Sequence, residues 1–178
     1  MIWTIVVLAV LVLVLFGFWV SWRASRLDRL HNRVESARTA LDLALVRRSS
    51  AAADLASSGM IDPATSLLLA DAVRRARQAG PSELGLAESD LTRALRATLG
   101  DPDFRKEIIG DDGAAELVTE VEAAAQQVFI ARKFYNDVAG RTIDARRRPL
   151  PRVLRLYGSA RQPVFFDMDD ALGDGGLE

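Results

Sequence analysis

The hydrophobic and polar positions divide the chain into one uninterrupted apolar stretch and a longer part in which apolar residues recur at helical spacing. From Ile2 to Trp22 no side chain carries a charge. At the rise of an α-helix this stretch is about 30 Å long, which is the thickness of the hydrocarbon core of a bilayer. The pattern therefore predicts a transmembrane anchor over residues 1–22.

Aromatic and basic residues mark the ends of the apolar stretch. Trp3, Trp19 and Trp22 lie near its two ends, where an indole ring can contact lipid while its N–H reaches the headgroups. No arginine precedes the stretch, whereas Arg23 and Arg26 follow it directly. We therefore expect these five residues at the membrane interface. Because arginine-rich flanks stay in the cytoplasm, we expect a single-pass protein with its amino terminus outside and the remainder cytoplasmic.

A cleaved secretory signal is the alternative interpretation of the same stretch. Such a signal requires a basic start, a shorter apolar core and small residues at the cleavage site. Here no basic residue precedes the stretch, and residues 18–23 include the bulky aromatic residues Phe18, Trp19 and Trp22. These features favour a retained anchor.

Beyond the anchor, apolar residues recur at alternating steps of three and four, which is typical of amphipathic helices. Helix 1 is expected to continue from the membrane to about Ser57, since no helix breaker comes before Gly59. Asp62 and Pro63 form an N-cap and first-turn pair, so helix 2 should begin there and end at Gly80.

Two further helices follow in the predicted order. Helix 3 should begin at Ser82 or Ser89 and end at the turn that follows Gly100. Helix 4 carries the longest apolar seam, begins after the turn at residues 111–113 and ends before Pro149. No alternation typical of strands appears before the tail, so the soluble part is predicted to be all-α. Residues 159–178 are expected to be extended and then, from Asp167, acidic and disordered.

Two segments are more specific than the periodicity: ALDLALVRR at residues 40–48 of helix 1 and ARKFYND at residues 131–137 of helix 4. Together with the N-terminal span, they resemble the LemA family. Pro149, Gly158 and the aromatic pair Phe165 and Phe166 also follow in the order typical of that family. The resemblance implies an antiparallel up-and-down four-helix bundle over residues 23–158, carried on the membrane anchor. It further implies a loose association with envelope stress or with membrane proteins that carry TPM domains, and it supplies no catalytic residues.

One segment departs from the family pattern. Family members commonly continue the double arginine with an apolar stretch, whereas here the sequence SSAAADLA occupies residues 49–56. If that stretch is a partner surface in relatives, it is lost or changed in this chain.

Composition limits the chemistry. The 178 residues include no cysteine and one histidine, and the net charge is -1. Thiolate metal sites and cysteine nucleophiles are therefore excluded. His31 is interpreted as a surface residue, because no second imidazole could share a metal with it. The acidic run near the end of the chain is interpreted as a solubilising tail rather than a cation site; it comprises Asp167, Asp169 and Asp170. Without a catalytic motif we expect no enzyme, no cofactor and no metal.

Three polar residues on the seams are expected to have structural roles. Arg48 falls on the seam of helix 1, so it is either a rim residue that reaches water or a buried charge that needs a carboxylate, with Glu120 and Glu122 at its level on helix 4. Tyr135 should place its ring in the core. Asn136 should hydrogen-bond across to residues 35–38 of helix 1.

A run of arginines near the end of helix 4 is the candidate lipid-contacting surface. In an up-and-down bundle, helix 4 returns to the membrane, where basic side chains would meet anionic headgroups. The alternatives are a solvated arginine face or neutralisation by the acidic tail. Nucleic acid is not expected, because no aromatic residues interrupt the run and the chain is tethered. The run comprises Arg146, Arg147, Arg148, Arg152 and Arg155.

These observations predict a non-enzymatic scaffold or adaptor in the membrane of a bacterial cell. Its expected partners are membrane lipid and a protein of the membrane or envelope, with homo-oligomers as a further expectation. The alternative is a protein that organises lipid through its anchor and the arginine run.

Overall fold

The structure is a computed structural model that describes residues 2–101, 104, 112–147 and 162–170; for residues 20–28, 30 and 112 it describes the backbone only. Within these ranges all regular secondary structure is helical, as predicted, and no strand occurs. The helices with defined bounds are α1 (Ile2–Ser57), α2 (Pro63–Gln78), α3 (Leu84–Gly100) and α4 (Asp112–Arg147). The prediction of an all-α protein is confirmed for this part of the chain.

The predicted helix ends agree with local capping chemistry. Helix α1 ends at Ser57, just before Gly59, whose positive φ of 75° suits a residue without a side chain. Asp62 caps α2, because its Oδ1 accepts hydrogen bonds from the backbone N–H groups of Ala64 at 2.9 Å and Thr65 at 3.1 Å. Hydrogen bonding, first from the Thr65 side chain and then from its backbone, lowers the pKa of the Asp62 carboxyl.

The chain divides into two compact units. The first unit contains Met1–Ala37 and Asp137–Phe165, and the second contains Arg38–Asn136 and Phe166–Glu178. Both α1 and α4 contribute residues to each unit, because one boundary between the units falls within each helix, after residue 37 and after residue 136. Sequence periodicity has no signal for such a boundary, since the same apolar seam continues through it.

The first unit contains the one described helical segment that is long and apolar enough to cross a membrane. Residues Ile2–Trp19 have a mean hydropathy of 2.8, and none of the segment is buried within the protein. Trp3 is 83% exposed, and the ring of Trp19 stacks on Phe16 at 6.1 Å. The side chains of Trp22, Arg23 and Arg26 lie outside the described residues. An N-terminal signal sequence meets the same criteria of length and composition.

The second unit has a core made mainly of leucine and alanine. Leu55, Leu69, Leu91 and Leu95 are at most 1% exposed and come from α1, α2 and α3. Val121 of α4 completes this group with no exposed surface. Short side chains fill the space between the leucines, which allows helix backbones to approach closely. These are Ala51, Ala52, Ala56, Ala72, Ala76 and Ala124.

Candidate functional site

Among the described residues, Arg48 is the largest of the side chains that are less than 2% exposed, and it has no exposed surface. Its Nη1 donates a hydrogen bond to Thr92 Oγ1 at 2.8 Å, and its Nη2 donates to Glu88 Oε2 at 2.6 Å. The sequence left open whether Arg48 reaches water at the rim or is buried and paired with a carboxylate. In the structure Arg48 is buried and paired. Arg48, Glu88 and Thr92 are called the buried polar cluster below.

The prediction that Glu120 or Glu122 is the carboxylate partner of Arg48 was wrong. Glu120 and Glu122 of α4 are both exposed, and the partner Glu88 comes from α3 instead. A seam residue of α1 can face either neighbouring helix, and helical rise alone fixes only its height along the bundle. Glu88 itself lies in the sequence GLAESD of α3, where its position on the buried face with Leu91, Thr92 and Leu95 was the available signal.

The cluster is internally bonded, with one exception. The Thr92 hydroxyl accepts from Arg48 and donates to the Glu88 backbone carbonyl at 3.0 Å, so both functions of the hydroxyl are used. Burial raises the pKa of the Glu88 carboxyl, and the charge and hydrogen bond of Arg48 oppose this shift. Arg48 Nε is buried with no hydrogen-bond partner among the described residues. The cluster therefore balances a desolvation cost against a close ion pair.

A cavity of about 220 Å³ lies beside the cluster, and Glu88, Asp42, Ser49 and Arg77 contribute its polar lining. Arg77 of α2 donates to the Ser49 hydroxyl of α1 at 3.2 Å, and Asp42 pairs with Arg38 at 3.0 Å. The charged groups of this lining are therefore already engaged with protein partners. The arrangement joins helices and contains no pairing of a nucleophile with a base.

A second polar site holds the short chain segment Phe166–Asp170, called the tail segment below. The residues of α3 and α4 that contact this segment are called the tail groove: Gly85, Ser89, Arg96, Arg132 and Asn136. Asn136 of α4 makes two hydrogen bonds to the backbone of Phe166: its Nδ2 donates to the carbonyl at 3.0 Å, and its Oδ1 accepts from the N–H at 2.9 Å. The structural role predicted for Asn136 therefore agrees with the structure. Its predicted partner, residues 35–38 of helix 1, was wrong, because the amide groups are used by the returning chain.

Two arginines of the tail groove pair with the acidic end of the tail segment. Arg96 of α3 contacts both carboxylate oxygens of Asp169 at 3.1 Å. Arg132 of α4 contacts Asp170 through Nε at 2.5 Å and Nη2 at 3.0 Å. The two nitrogens of Arg132 fix the orientation of the Asp170 carboxylate as well as pairing its charge, whereas Arg96 reaches both oxygens of Asp169 from the single nitrogen Nη2. The second pair is the better shielded, since the Asp170 side chain is only 8% exposed.

The backbone of the tail segment approaches α3 closely. Ser89 Oγ accepts a hydrogen bond from the Asp169 N–H at 3.0 Å. A Cβ placed on Gly85 would lie 2.4 Å from the Asp167 carbonyl oxygen, so this position has room only for glycine. The α3 face of the groove is thus shaped for an extended backbone.

Apolar side chains of the tail segment are buried against the tail groove. Phe166 and Met168 are each 7% exposed, whereas Asp167 and Asp169 face solvent. The guanidinium of Arg38 lies 5.2 Å from the ring centroid of Phe166 and 5.8 Å from that of Tyr135. Tyr135 is 6% exposed, in agreement with its predicted place in the core.

Residues 167–170, which the sequence placed in a disordered acidic tail, are therefore extended and packed on the helices. Alternation of buried and exposed side chains from Phe166 to Asp169 is the period of an extended chain, and this signal was present in the sequence. The net acidity concealed it, because the arginines that balance the aspartates lie on α3 and α4. Residues 171–178 lie outside the described residues.

No group of three or more potential metal ligands gathers within the described ranges. Asp169 and Asp170 point to separate arginines instead. His31 lies 4.0 Å from Glu35 and is partly exposed, consistent with a surface residue.

The predicted lipid-contacting residues are described only in part. Arg146 is partly buried and Arg147 is exposed, both in the last turn of α4. Arg148, Arg152 and Arg155 lie outside the described residues.

The resemblance to the LemA family stays a prediction that rests on the residues quoted above. Comparisons with family models, with curated proteins and with solved structures find no match to this chain.

Proposed function

We propose that this chain is a non-enzymatic, single-pass membrane protein whose helical part acts as a scaffold or adaptor for a partner in the membrane or envelope. The observation that carries the proposal is the apolar surface of Ile2–Trp19, none of which is buried within the protein. An exposed helix of this hydropathy is favourable in lipid and costly in water. It belongs to the same helix, α1, that supplies Arg48 and Leu55 to the core of the second unit.

The interior chemistry supports a structural role rather than a catalytic one. Arg48 and Glu88 bond to each other, and the acidic tail segment bonds to Arg96 and Arg132. Groups committed to each other in this way hold helices and chain segments together. They are not poised to transfer a proton to a substrate.

An antiparallel up-and-down arrangement of the four helices is part of the proposal. It is supported by two contacts between α1 and α4: Arg47 hydrogen-bonds to Gln127 at 3.2 Å, and Arg38 lies over the ring of Tyr135. As the residue number rises on α1, it falls on α4, which is the register of an antiparallel pair.

We further propose that the amino terminus lies outside a bacterial cell membrane and that the helical part is cytoplasmic. The arginines that directly follow the span support this orientation. The resemblance to the LemA family adds the suggestion of a role in envelope stress.

A protein that organises lipid through its anchor and the end of α4 is the second candidate. Arg146 and Arg147 in the last turn of α4 favour it, since basic side chains near anionic headgroups contribute about 1 kcal/mol each.

The proposal is tested first by the state of the mature chain. Membranes are washed with alkaline carbonate, and the intact mass of the extracted protein is measured. We expect the full-length chain in the washed membranes. A mature chain in the aqueous fraction that lacks about twenty N-terminal residues would overturn the anchor.

Photo-crosslinking in cells then distinguishes the two candidate functions. A photoreactive residue is placed at exposed Leu43 or at exposed Leu86 of the second unit. A discrete protein product supports the adaptor. Products formed only with lipid or with other copies of the chain support the second candidate.

A further inference from the structure

The tail groove contacts its occupant in the ways that peptide-binding sites use. Asn136 bonds to both backbone polar groups of one residue, and Ser89 accepts one further N–H. Such contacts recognise an extended backbone whatever its side chains, whereas pockets and charges add sequence preference. Here Phe166 and Met168 occupy the buried positions.

Charge complementarity defines the rest of the preference. Arg96 and Arg132 meet two successive carboxylates, Asp169 and Asp170, each through two hydrogen bonds. The segment that fits the groove is therefore extended, with apolar residues at alternate positions followed by two acidic residues. The groove lies within the second unit, to which α3, α4 and the tail segment contribute.

We infer that the tail groove is a docking site for an extended acidic segment of a partner protein, and that the chain's own tail segment occupies the groove until such a segment displaces it. The inference names the interaction surface of the proposed adaptor, and for its biological role it rests on that proposed function. The partner segment has the pattern of residues 166–170: two apolar residues separated by one position, then two carboxylates.

The two ion pairs that hold the carboxyl end of the tail segment differ in how well they are shielded from solvent. Arg132 and Asp170 are 22% and 8% exposed, whereas Arg96 and Asp169 are 40% and 43% exposed and therefore more strongly screened. A tethered segment competes at an effective concentration on the order of millimolar. A partner held at the same membrane is likewise concentrated near the groove, so it can compete where a dilute soluble peptide would not.

The test uses the full-length protein in detergent micelles and a fluorescent synthetic peptide with the sequence of residues 162–170. In the D169N/D170N variant the tail loses both ion pairs and the groove keeps its own residues. We expect saturable binding of the peptide to this variant, and binding at least about tenfold weaker to the unaltered chain, whose tail competes.

Matched controls locate the binding. A peptide in which Asn replaces both terminal aspartates should bind about tenfold more weakly. A peptide in which Asn replaces Asp167, whose side chain faces solvent, should bind as the parent does. Adding Asn136→Ala to the D169N/D170N protein should weaken binding as well. Absence of saturable binding to D169N/D170N, or binding that is insensitive both to Asn136 and to the peptide aspartates, would overturn the inference.

A second measurement covers the case in which D169N/D170N does not fold. The natural chain has no cysteine, so Ser89→Cys and Asp169→Cys can be introduced as a single reactive pair. Excess parent peptide should slow disulfide formation between them, and an unchanged rate would overturn the inference.

A mixture of two variants, one with only Ser89→Cys and the other with only Asp169→Cys, tests whether the tail of a second copy occupies the groove. Disulfides that form only between the two chains, and not within a chain that carries both cysteines, would assign the groove to the tail of a second copy and overturn the proposed partner. Capture of membrane partners by the unaltered protein tests the adaptor separately, so failure of the groove and failure of the proposed function give different results.

Discussion

The guanidinium of Arg48 lies fully out of water, and the carboxylate of Glu88 balances its charge. In such a pair, the two desolvation costs and the attraction nearly cancel, so the intact pair adds little net stability. Removal of one partner is different, because it leaves an uncompensated charge in the interior. The buried polar cluster therefore favours this arrangement of α1 and α3 over others in which the two side chains do not meet.

We predict that Arg48→Ala lowers the free energy of unfolding by about 3–5 kcal/mol, because Glu88 is left buried without its partner. The double variant Arg48→Met with Glu88→Leu should recover most of this loss, since it removes both charges and fills the space. Urea unfolding followed by circular dichroism at helical wavelengths measures both effects.

Arg47→Ala is the matched control for Arg48. Arg47 is the preceding residue of α1, but it is exposed and bonds to Gln127 on the surface. Its replacement should change stability by no more than about 0.5 kcal/mol. Unchanged stability of Arg48→Ala would show that the buried pair is not required.

The Glu88 carboxyl also predicts a pH dependence. Burial raises its pKa in the folded protein above the ordinary value of 4.5, so the folded state binds a proton at a higher pH than the unfolded state does. The associated stability is therefore fully present below the ordinary value and is lost as the pH rises through the folded-state pKa. Relative to Glu88→Gln, the unaltered protein should gain stability as the pH falls from neutral towards 4.5.

Unfolding of the two proteins by urea, at several pH values across this range, checks the sign. If the unaltered protein instead loses stability relative to Glu88→Gln as the pH falls, Arg48 outweighs burial and lowers the pKa of Glu88.

At the scale of elements, two glycines inside helices differ in what surrounds them. Gly85 of α3 faces the Asp167 carbonyl, 2.4 Å from where a Cβ would lie, whereas a Cβ on Gly140 of α4 would meet only the ring of Phe165 at 3.6 Å. Alanine is favoured over glycine in a helix by about 1 kcal/mol. The same substitution should therefore have opposite effects at the two positions.

We predict that Gly85→Ala releases the tail segment while α3 stays helical. Limited proteolysis followed by mass spectrometry should show faster cleavage within residues 162–170, with unchanged helical circular dichroism. Gly140→Ala should leave the cleavage rate unaltered and raise the melting temperature slightly. Equal cleavage rates for Gly85→Ala and the unaltered chain would contradict the close approach.

Helix bounds were largely predictable from the sequence because their causes are local. Asp62 and Pro63 begin α2 by capping chemistry that four consecutive residues contain. Helix α3 begins at Leu84, between the two predicted starts. Its capping residue Glu83 supplies no side-chain hydrogen bond, so the sequence contains no capping motif from which this start could be predicted.

The partners of Arg48 and Asn136 were not predictable in the same way. Each partner is distant in the sequence, and each choice depends on which surfaces meet after the helices pack. Periodicity identifies the buried face of a helix, but it does not identify the neighbour that covers this face. The tail groove was missed for the same reason, since its arginines and the aspartates that they bind belong to separate segments.

At the scale of the whole molecule, the arginines after the apolar stretch predict an orientation that chemical labelling can read. The chain lacks cysteine, so Glu122→Cys on the exposed face of α4 introduces a single reactive thiol. A membrane-impermeant maleimide should label it only after cells are permeabilised, because the helical part is expected in the cytoplasm. A cysteine added before Met1 is the control and should be labelled in intact cells.

Labelling of Glu122→Cys in intact cells would reverse the proposed orientation. The reversal would also remove the argument that Arg146 and Arg147 meet the anionic inner leaflet.

The paired hydrogen bonds of Asn136 have a consequence for which substitutions this protein can accept during evolution. Both bonds are made to main-chain atoms of Phe166, so the alignment of the tail segment does not depend on the side chain of this residue. Another bulky apolar side chain could replace the phenyl group without sliding the aspartates away from their arginines. Natural variants should therefore tolerate exchange at position 166 more readily than loss of the amide that aligns it.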